Sequence, residues 1–350
     1  MTAEPLHIAG RRIASDTPAY VIAEVAQAHD GSLGAAHAFI DIAADCGADA
    51  IKFQTHFAEA ESTREEPFRV KFTTQDATRF DYWQRLEFTE PQWRELAGHA
   101  ADRGLTFLSS AFSMRAIDLL QSLDMAAWKI ASGEVWNDTF MQAMTATGKP
   151  VLLSTGMANW EEIGAAVDMI RAQDPAYPLG IFQCTSMYPT PLTHVGLNVL
   201  DALATRFQVQ VGLSDHTGGL SAPIAAMAQG ARLIEVHLAL HAGQFGPDTV
   251  ASLTPDALAQ LCRFRDDLAV MEAAPVDKDA RAQDLGHMRQ LFSRSLALVA
   301  ARPAGHVLTA ADLTAKKPGS GIDPQRLSDL VGRRLTNDVP ADRLLRDTDF

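Results

Sequence analysis

Val211-Gly212-Leu213-Ser214-Asp215-His216-Thr217-Gly218-Gly219 begins as an apolar run and breaks into Ser-Asp-His and a glycine pair. That is how a buried strand ends and hands its last residues to a loop. Downstream, Ala231-Arg232-Leu233-Ile234-Glu235-Val236-His237-Leu238 delivers a second histidine near its end. Working outward, six more short apolar runs read as strands: 19–26, 48–54, 105–109, 126–132, 150–154 and 179–184. Helical patterns separate most of them, at 35–46, 90–103, 114–123, 160–172 and 220–229. Eight strands alternating with helices over about 250 residues predict an α/β fold, a (β/α)8 TIM barrel. An open doubly wound sheet would need a glycine-rich phosphate turn after its first strand, and none is present.

Outside that series, Leu6–Ile13 alternates around Gly10 and reads as an entry hairpin. The stretch from Phe57 to Leu86 carries many charges without a period, and reads as a lid, a disordered loop or a solvated insertion. A charged, Ala-rich segment around 270–283 reads as a linker helix, and a small unit with strands at 295–300 and 343–350 follows. About 60 residues is small for an independent core, so this unit is expected to lean on a partner surface. The expected division is a barrel over 1–272, a linker over 273–290 and a small domain over 291–350.

The 350 residues carry a formal charge of −13, which excludes the basic surface that nucleic acid requires. Cys46, Cys184 and Cys262 form no CxxC pair and read as reduced thiols, and no signal peptide or run of about 18 apolar residues is seen. A cytoplasmic protein without membrane contact is expected.

In such a barrel the strand C-termini build the active site. Here they supply Glu24, Lys52, Gln54, Ser109, Ser110, Lys129, Ser132, Glu134, Ser154, Thr155, Thr185, Ser186, Tyr188, Ser214, Asp215, His216, Glu235 and His237. A lone serine after a strand is usually a helix cap. Lysines inside apolar runs must reach a partner, so Lys52 and Lys129 with the surrounding hydroxyls suit a phosphate or carboxylate. Neutral imidazoles at adjacent strand ends suit a divalent metal, with Asp215 a candidate to orient one of them. Glu24 and Glu134 are candidate acid/base groups, or ion-pair partners of the lysines. His29, His56, His194 and His241 are weaker candidates.

Ile22-Ala23-Glu24-Val25 with His29-Asp30-Gly31, Ile51-Lys52-Phe53-Gln54, and Trp128 through Glu134 resemble motifs of the sialic acid synthases. So do Ser154-Thr155-Gly156-Met157, Cys184 through Pro191, Gly212 through His216, and Phe245-Gly246-Pro247-Asp248. The tail from about Phe292, with Lys317-Pro318-Gly319-Ser320-Gly321-Ile322, resembles that family's antifreeze-like (SAF) domain. The resemblance implies a transferase that condenses phosphoenolpyruvate with an open-chain N-acetylated amino sugar, N-acetylmannosamine by default, giving N-acetylneuraminate and phosphate. It implies a divalent metal on His216 and His237, most often Mn2+, with Mg2+ and Co2+ as alternatives. It implies phosphoenolpyruvate contacts at Lys52, Ser110, Lys129, Ser132, Ser154 and Ser214, and carboxylates at Glu24 and Glu134 for water activation and substrate contact. It further implies sugar contacts at Gln54, Ser186, Tyr188 and Asp248. It also implies a domain-swapped homodimer in which the small domain caps the partner's barrel, with Lys317 where the sialic acid synthases carry arginine.

The departures fall on the sugar side: Ala28-His29-Asp30-Gly31 for Asn-His-x-Gly, Ser186 for Asn, and Val236 and His241-Ala242 for the usual Lys and Asp-Arg. Diacetamido sugars leading to legionaminic or pseudaminic acid are therefore rivals. A different metal-dependent barrel aldolase, or a silent sugar-binding barrel, are the other readings.

Overall fold

The computed structural model describes residues 4–350; the reading of the N-terminus at Met1–Ala3 lies outside them. The chain divides into two compact units, one ending at Ala273 and one running from Ala274 to Phe350. Eight parallel strands close the first: β3 (Tyr20–Ala26), β4 (Ala50–Thr55), β5 (Thr106–Ala111), β6 (Trp128–Ile130), β7 (Val151–Ser154), β8 (Leu179–Cys184), β9 (Gln210–Asp215) and β10 (Leu233–Leu238). Each pairs with its successor, and β10 also pairs with β3, so no edge is left open. The strands are buried along nearly their whole length because helices cover the outside and side chains fill the inside.

The expected helices stand within two residues of their expected ends, and Asp138–Thr145, Asn198–Phe207 and Pro255–Ala273 complete the ring. Good caps mark several starts: Ser32, Ser113 and Asn159 each accept a backbone N–H of the first turn.

The entry hairpin, β1 (Leu6–Ile8) and β2 (Arg11–Ile13), plugs the end of the barrel opposite the strand C-termini. A Cβ added at Gly180 would meet side chains of Leu233, Leu152 and Leu6, which places Leu6 among inward-facing residues. Gly212 is tighter still, because a Cβ there would lie 2.1 Å from the Leu233 carbonyl oxygen. Backbone cannot yield as a side chain does, so Gly212→Ala is expected to cost about 3 kcal/mol. Urea unfolding measures that loss, and a cost below 1 kcal/mol would show that β9 and β10 separate freely.

The second unit has its own small core of Leu296, Leu298, Leu308, Leu313, Ile322, Leu330, Leu335, Val339 and Leu345. The linker region is broken: one helix ends at Ala273, and Lys278–Asp284 and Gly286–Phe292 follow. Strand β12 (Ser295–Leu298) pairs with β13 (Leu313–Lys316); a two-residue β11 (Ser252–Leu253) lies beside β10. The strand expected at 343–350 is not formed. Leu344 makes an isolated bridge to Ala297, and Asp347–Asp349 is a 3-10 turn held by the Asp349 carboxylate, which accepts from Arg343 and from the Arg346 N–H.

Candidate active site

Parallel register brings the chemistry together. Glu24 lies opposite Lys52 on one side and His237 on the other; Ser110 is opposite Lys129, and Glu235 is opposite Ser214. Inward-facing residues recur every second position, so Lys52 and Gln54, Ser214 and His216, and Glu235 and His237 point into one cavity of about 300 Å³.

At its floor four charged side chains are buried together. Lys52 Nζ is 2.6 Å from Glu24 Oε2 and 3.8 Å from Glu235 Oε1; Lys129 Nζ is 3.4 Å from the same Glu235 oxygen. Ser154 accepts from Lys129 at 2.7 Å, Ser110 lies 3.5 Å from Lys52, and Ser214 donates to Glu235 at 3.1 Å. Glu235 Oε2 has no hydrogen-bond partner among the described residues. Burial pushes the Glu24 carboxyl up to about 7. Burial also opposes Glu235 ionisation, but Lys129 and Lys52 overcome it and hold this carboxylate well below its usual range. Lys52 is kept charged by Glu235 and Glu24 against burial, whereas burial pulls Lys129 down. With Glu24 partly protonated, the group carries an excess of positive charge and presents hydroxyl donors, a setting for a multiply charged anion.

The His216 and His237 rings stand 5.2 Å apart at centroids, and Tyr188 stacks on His216 at 4.1 Å. His216 Nδ1 is 2.9 Å from the Thr185 carbonyl, a contact that places a proton on Nδ1; against burial, the neighbouring Cys184 and this carbonyl hold the ring above the usual histidine range. Burial drives His237 well below the usual histidine range, so this second ring is neutral. Two buried imidazoles, one oriented through Nδ1 by a carbonyl, fit a divalent cation that displaces any proton from Nε2 on binding. Among the described residues no three His, Cys, Asp or Glu groups converge, so water and substrate would complete its shell. The Thr185 carbonyl occupies the orienting role expected of Asp215, whose carboxylate instead accepts from the Thr217 hydroxyl at 2.8 Å and its N–H at 3.2 Å.

Ser132, Ser186, Tyr188, Gln54 and Asp248 all line the cavity. Glu134 does not: it lies on the 3-10 turn Ser132–Glu134, where its carboxylate accepts from the Asn137 side chain at 2.9 Å. Lys317 is exposed in the second unit, its ammonium 5.1 Å from the Phe292 ring centroid. His29 is a loop cap, accepting the Gly31 N–H at 3.1 Å and packed on Phe88.

The 57–86 connection is folded. Short helices Ala58–Glu61 and Arg79–Leu86 pack Ala58, Tyr82, Trp83 and Leu86 with Phe68, Phe72 and Phe80. Phe68, Val70, Phe72, Tyr82 and Trp83 form an apolar wall of the cavity. Arg69 reaches across its mouth, 2.6 Å from Asp248 and 4.0 Å over the Tyr188 ring. Glu235, Gln27, Arg69 and this aromatic wall are site residues to which sequence reading gave no role.

A family model described as the NeuB family matches residues 39–274, and one described as the SAF domain matches residues 294–350. N,N'-diacetyllegionaminic acid synthase from Campylobacter jejuni is 32% identical over 331 residues, spanning 93% of this chain and 98% of that protein. N-acetylneuraminate-9-phosphate synthase from Homo sapiens is 30% identical over 341 residues, with 95% and 93% spanned. The crystal structure of N-acetylneuraminic acid synthetase from Leptospira borgpetersenii, in complex with citrate, superposes with a TM-score of 0.72 at 26% identity, covering 82% of this chain and 97% of that one. No helix among the described residues is long and apolar enough to cross a membrane. Matched by the family model over residues 39–274 and by relatives at 30–32% identity over nearly its whole length, this chain is an enzyme of the NeuB family.

Proposed function

We propose that the enzyme condenses phosphoenolpyruvate with the open-chain aldehyde of an N-acetylated amino sugar, giving a nine-carbon 2-keto-3-deoxy acid and inorganic phosphate. The observation that carries this reading is the burial of Lys52 and Lys129 among hydroxyls at the cavity floor, beside two buried imidazoles. Lys52, Lys129, Ser110, Ser132, Ser154 and Ser214 bind the phosphate and carboxylate. His216 and His237 would hold a divalent ion, Mn2+ in this reading, which when bound supplies a Lewis acid for the aldehyde oxygen. Gln54, Ser186, Tyr188 and Asp248 orient the sugar, while the lid excludes bulk water.

The bond forms between C3 of phosphoenolpyruvate and the aldehyde carbon, whose oxygen takes a proton from water and becomes a hydroxyl, leaving C2 electron-deficient. Water adds at C2 and gives one proton to Glu24. The bond from C2 to the phosphate oxygen then breaks, phosphate leaves with the electron pair, and the new C2 hydroxyl gives up its proton to the departing phosphate to become the ketone. With Glu24 raised to about 7, activity is expected to climb with pH as this carboxyl ionises. The acid limb of the rate profile should stand near pH 7 and vanish from the residual activity of Glu24→Gln. A limb unchanged in that variant would remove Glu24 as the base.

N-acetylmannosamine is the default acceptor. The apolar wall of Phe68, Phe72, Tyr82 and Trp83 supports the second reading, a 2,4-diacetamido-2,4,6-trideoxyhexose, whose methyl and extra acetyl groups suit it. Phosphate release measured across both sugar classes tests the proposal. Release requiring phosphoenolpyruvate and one aminosugar together is expected; none with any of them would overturn it.

The working unit in this reading is a homodimer whose second unit covers the partner's cavity, with Lys317 reaching the sugar. Removing residues after about Ala280 should then abolish turnover while circular dichroism still reports a folded barrel. Full activity in that truncated protein would end the capping reading.

A further inference from the structure

A chain of hydrogen bonds runs from the lid to Glu24. His56 follows β4 and is sandwiched between Trp83 and Phe112, at centroid distances of 4.0 and 4.5 Å and interplanar angles of 14° and 11°. Its Nδ1 is 2.6 Å from Glu61 Oε1, and both side chains are almost fully buried. Glu61 also accepts the Phe57 N–H, at 3.3 Å through Oε2. A carboxylate only accepts, so Nδ1 carries the proton and Nε2 is left as a lone pair. The Gln27 amide fills that lone pair, its Nε2 standing 2.9 Å away. The same Gln27 amide donates to Gln54 Oε1. His56 Nε2 and Gln54 Oε1, 3.3 Å apart, are thus two acceptors sharing one NH2 group. With its oxygen committed, Gln54 turns its own NH2 toward Glu24 Oε1 at 2.9 Å, and its second N–H is left for the cavity it lines.

We infer that His56 and Glu61 form a positioning dyad that fixes the amide direction of Gln54, so that Gln54 presents donors both to Glu24 and to the acceptor sugar. Reversal of that amide would set a carbonyl oxygen against the Glu24 carboxylate and offer the sugar an acceptor instead. Nothing in the sandwich is required for packing alone, since a phenylalanine would fill the same slot between Trp83 and Phe112. The dyad also couples the lid to the chemistry: Glu61 and Trp83 arrive on the two lid helices, whereas Gln27, Gln54 and Glu24 belong to the barrel.

The role in catalysis rests on the condensation proposed above, and the test keeps the two apart. Glu61→Gln keeps the shape and removes the fixed acceptor; His56→Phe keeps the stack and removes the ring nitrogens. Each is expected to lower kcat about tenfold, with KM for phosphoenolpyruvate unchanged and KM for the sugar raised, as orienting groups behind a contact residue do. In a Gln54→Leu background the Glu61→Gln change should have no further effect, because both act through one amide. A purely structural role would instead multiply the two losses, and that result would overturn the dyad.

Nitrogen-15 spectra of the substrate-free protein supply the second arm. Wild type should show His56 with Nδ1 protonated and a protected Gln54 side-chain amide, and Glu61→Gln should shift both. A Gln54 amide signal indifferent to Glu61→Gln overturns the inference whatever the enzyme's substrate. Absence of phosphate release in wild type with the spectral shift intact would strike the condensation and leave the positioning dyad standing.

Discussion

Lys129→Met is expected to lower kcat/KM for phosphoenolpyruvate by about 10³-fold, the range found when a preorganised donor to a developing or bound oxyanion is removed. Lys129 is buried in the barrel floor, 2.7 Å from the Ser154 hydroxyl and 5.4 Å from the Phe182 ring centroid. In that dry setting an ammonium acts on a phosphate oxygen far more strongly than at a surface. The substitution has a second effect, because Glu235 is shared between Lys129 and Lys52 and would keep only the more distant one, at 3.8 Å. Breaking a buried pair from one side costs about 3–5 kcal/mol. Lys129→Met with Glu235→Gln should therefore recover most of the lost thermal stability and none of the lost kcat/KM. Phosphate-release kinetics and thermal unfolding on the single and double variants decide the matter. A single variant within tenfold of wild type would take Lys129 out of the anion site.

His237→Ala should remove one tightly held divalent ion per chain, together with at least about 10³-fold of turnover, and His216→Ala should do the same. Neither ring is needed for the core, and their positions differ in support. His216 is braced by the Thr185 carbonyl and stacked under Tyr188, whereas His237 is held by its strand beside Glu24. Metal content after dialysis against Mn2+, measured alongside turnover, provides the check. Chelation of wild type should copy the variants and be reversed by adding the ion back. A variant that keeps full activity with no bound metal would end the two-histidine site.

The barrel was legible because parallel strands covered on both faces read as unbroken apolar runs, and β8 and β10 stand at their expected ends. Strand β6 is shorter than expected: Ser132 already belongs to the 3-10 turn that ends at Glu134. A turn that tight depends on contacts beyond the local run. Glu235 stood among the strand-end residues without a role, although parity puts it on one face with His237 two residues on. Its importance, however, comes from one carboxylate lying between two lysines from different strands. Gln27 was hidden for another reason. The register slips between Glu24 and Ala26, where Ala26 has a positive φ of 47°, and alternation stops predicting which side chains face inward. The lid was read through its charges, whereas its aromatic residues, spaced without a period, are what pack and line the cavity.

Barrel closure has a consequence for the order of assembly. β3 finds its second neighbour only in β10, with Tyr20 opposite Leu233 and Glu24 opposite His237, more than 200 residues later in the chain. During synthesis the intervening strands can line up one after another, yet Glu24 and His237 stay apart until the final strand docks. Loop-closure entropy makes that docking a late event. His216 and His237, by contrast, stand at the ends of the consecutive strands β9 and β10, so the histidine pair can assemble before the seam between the first and last strands closes.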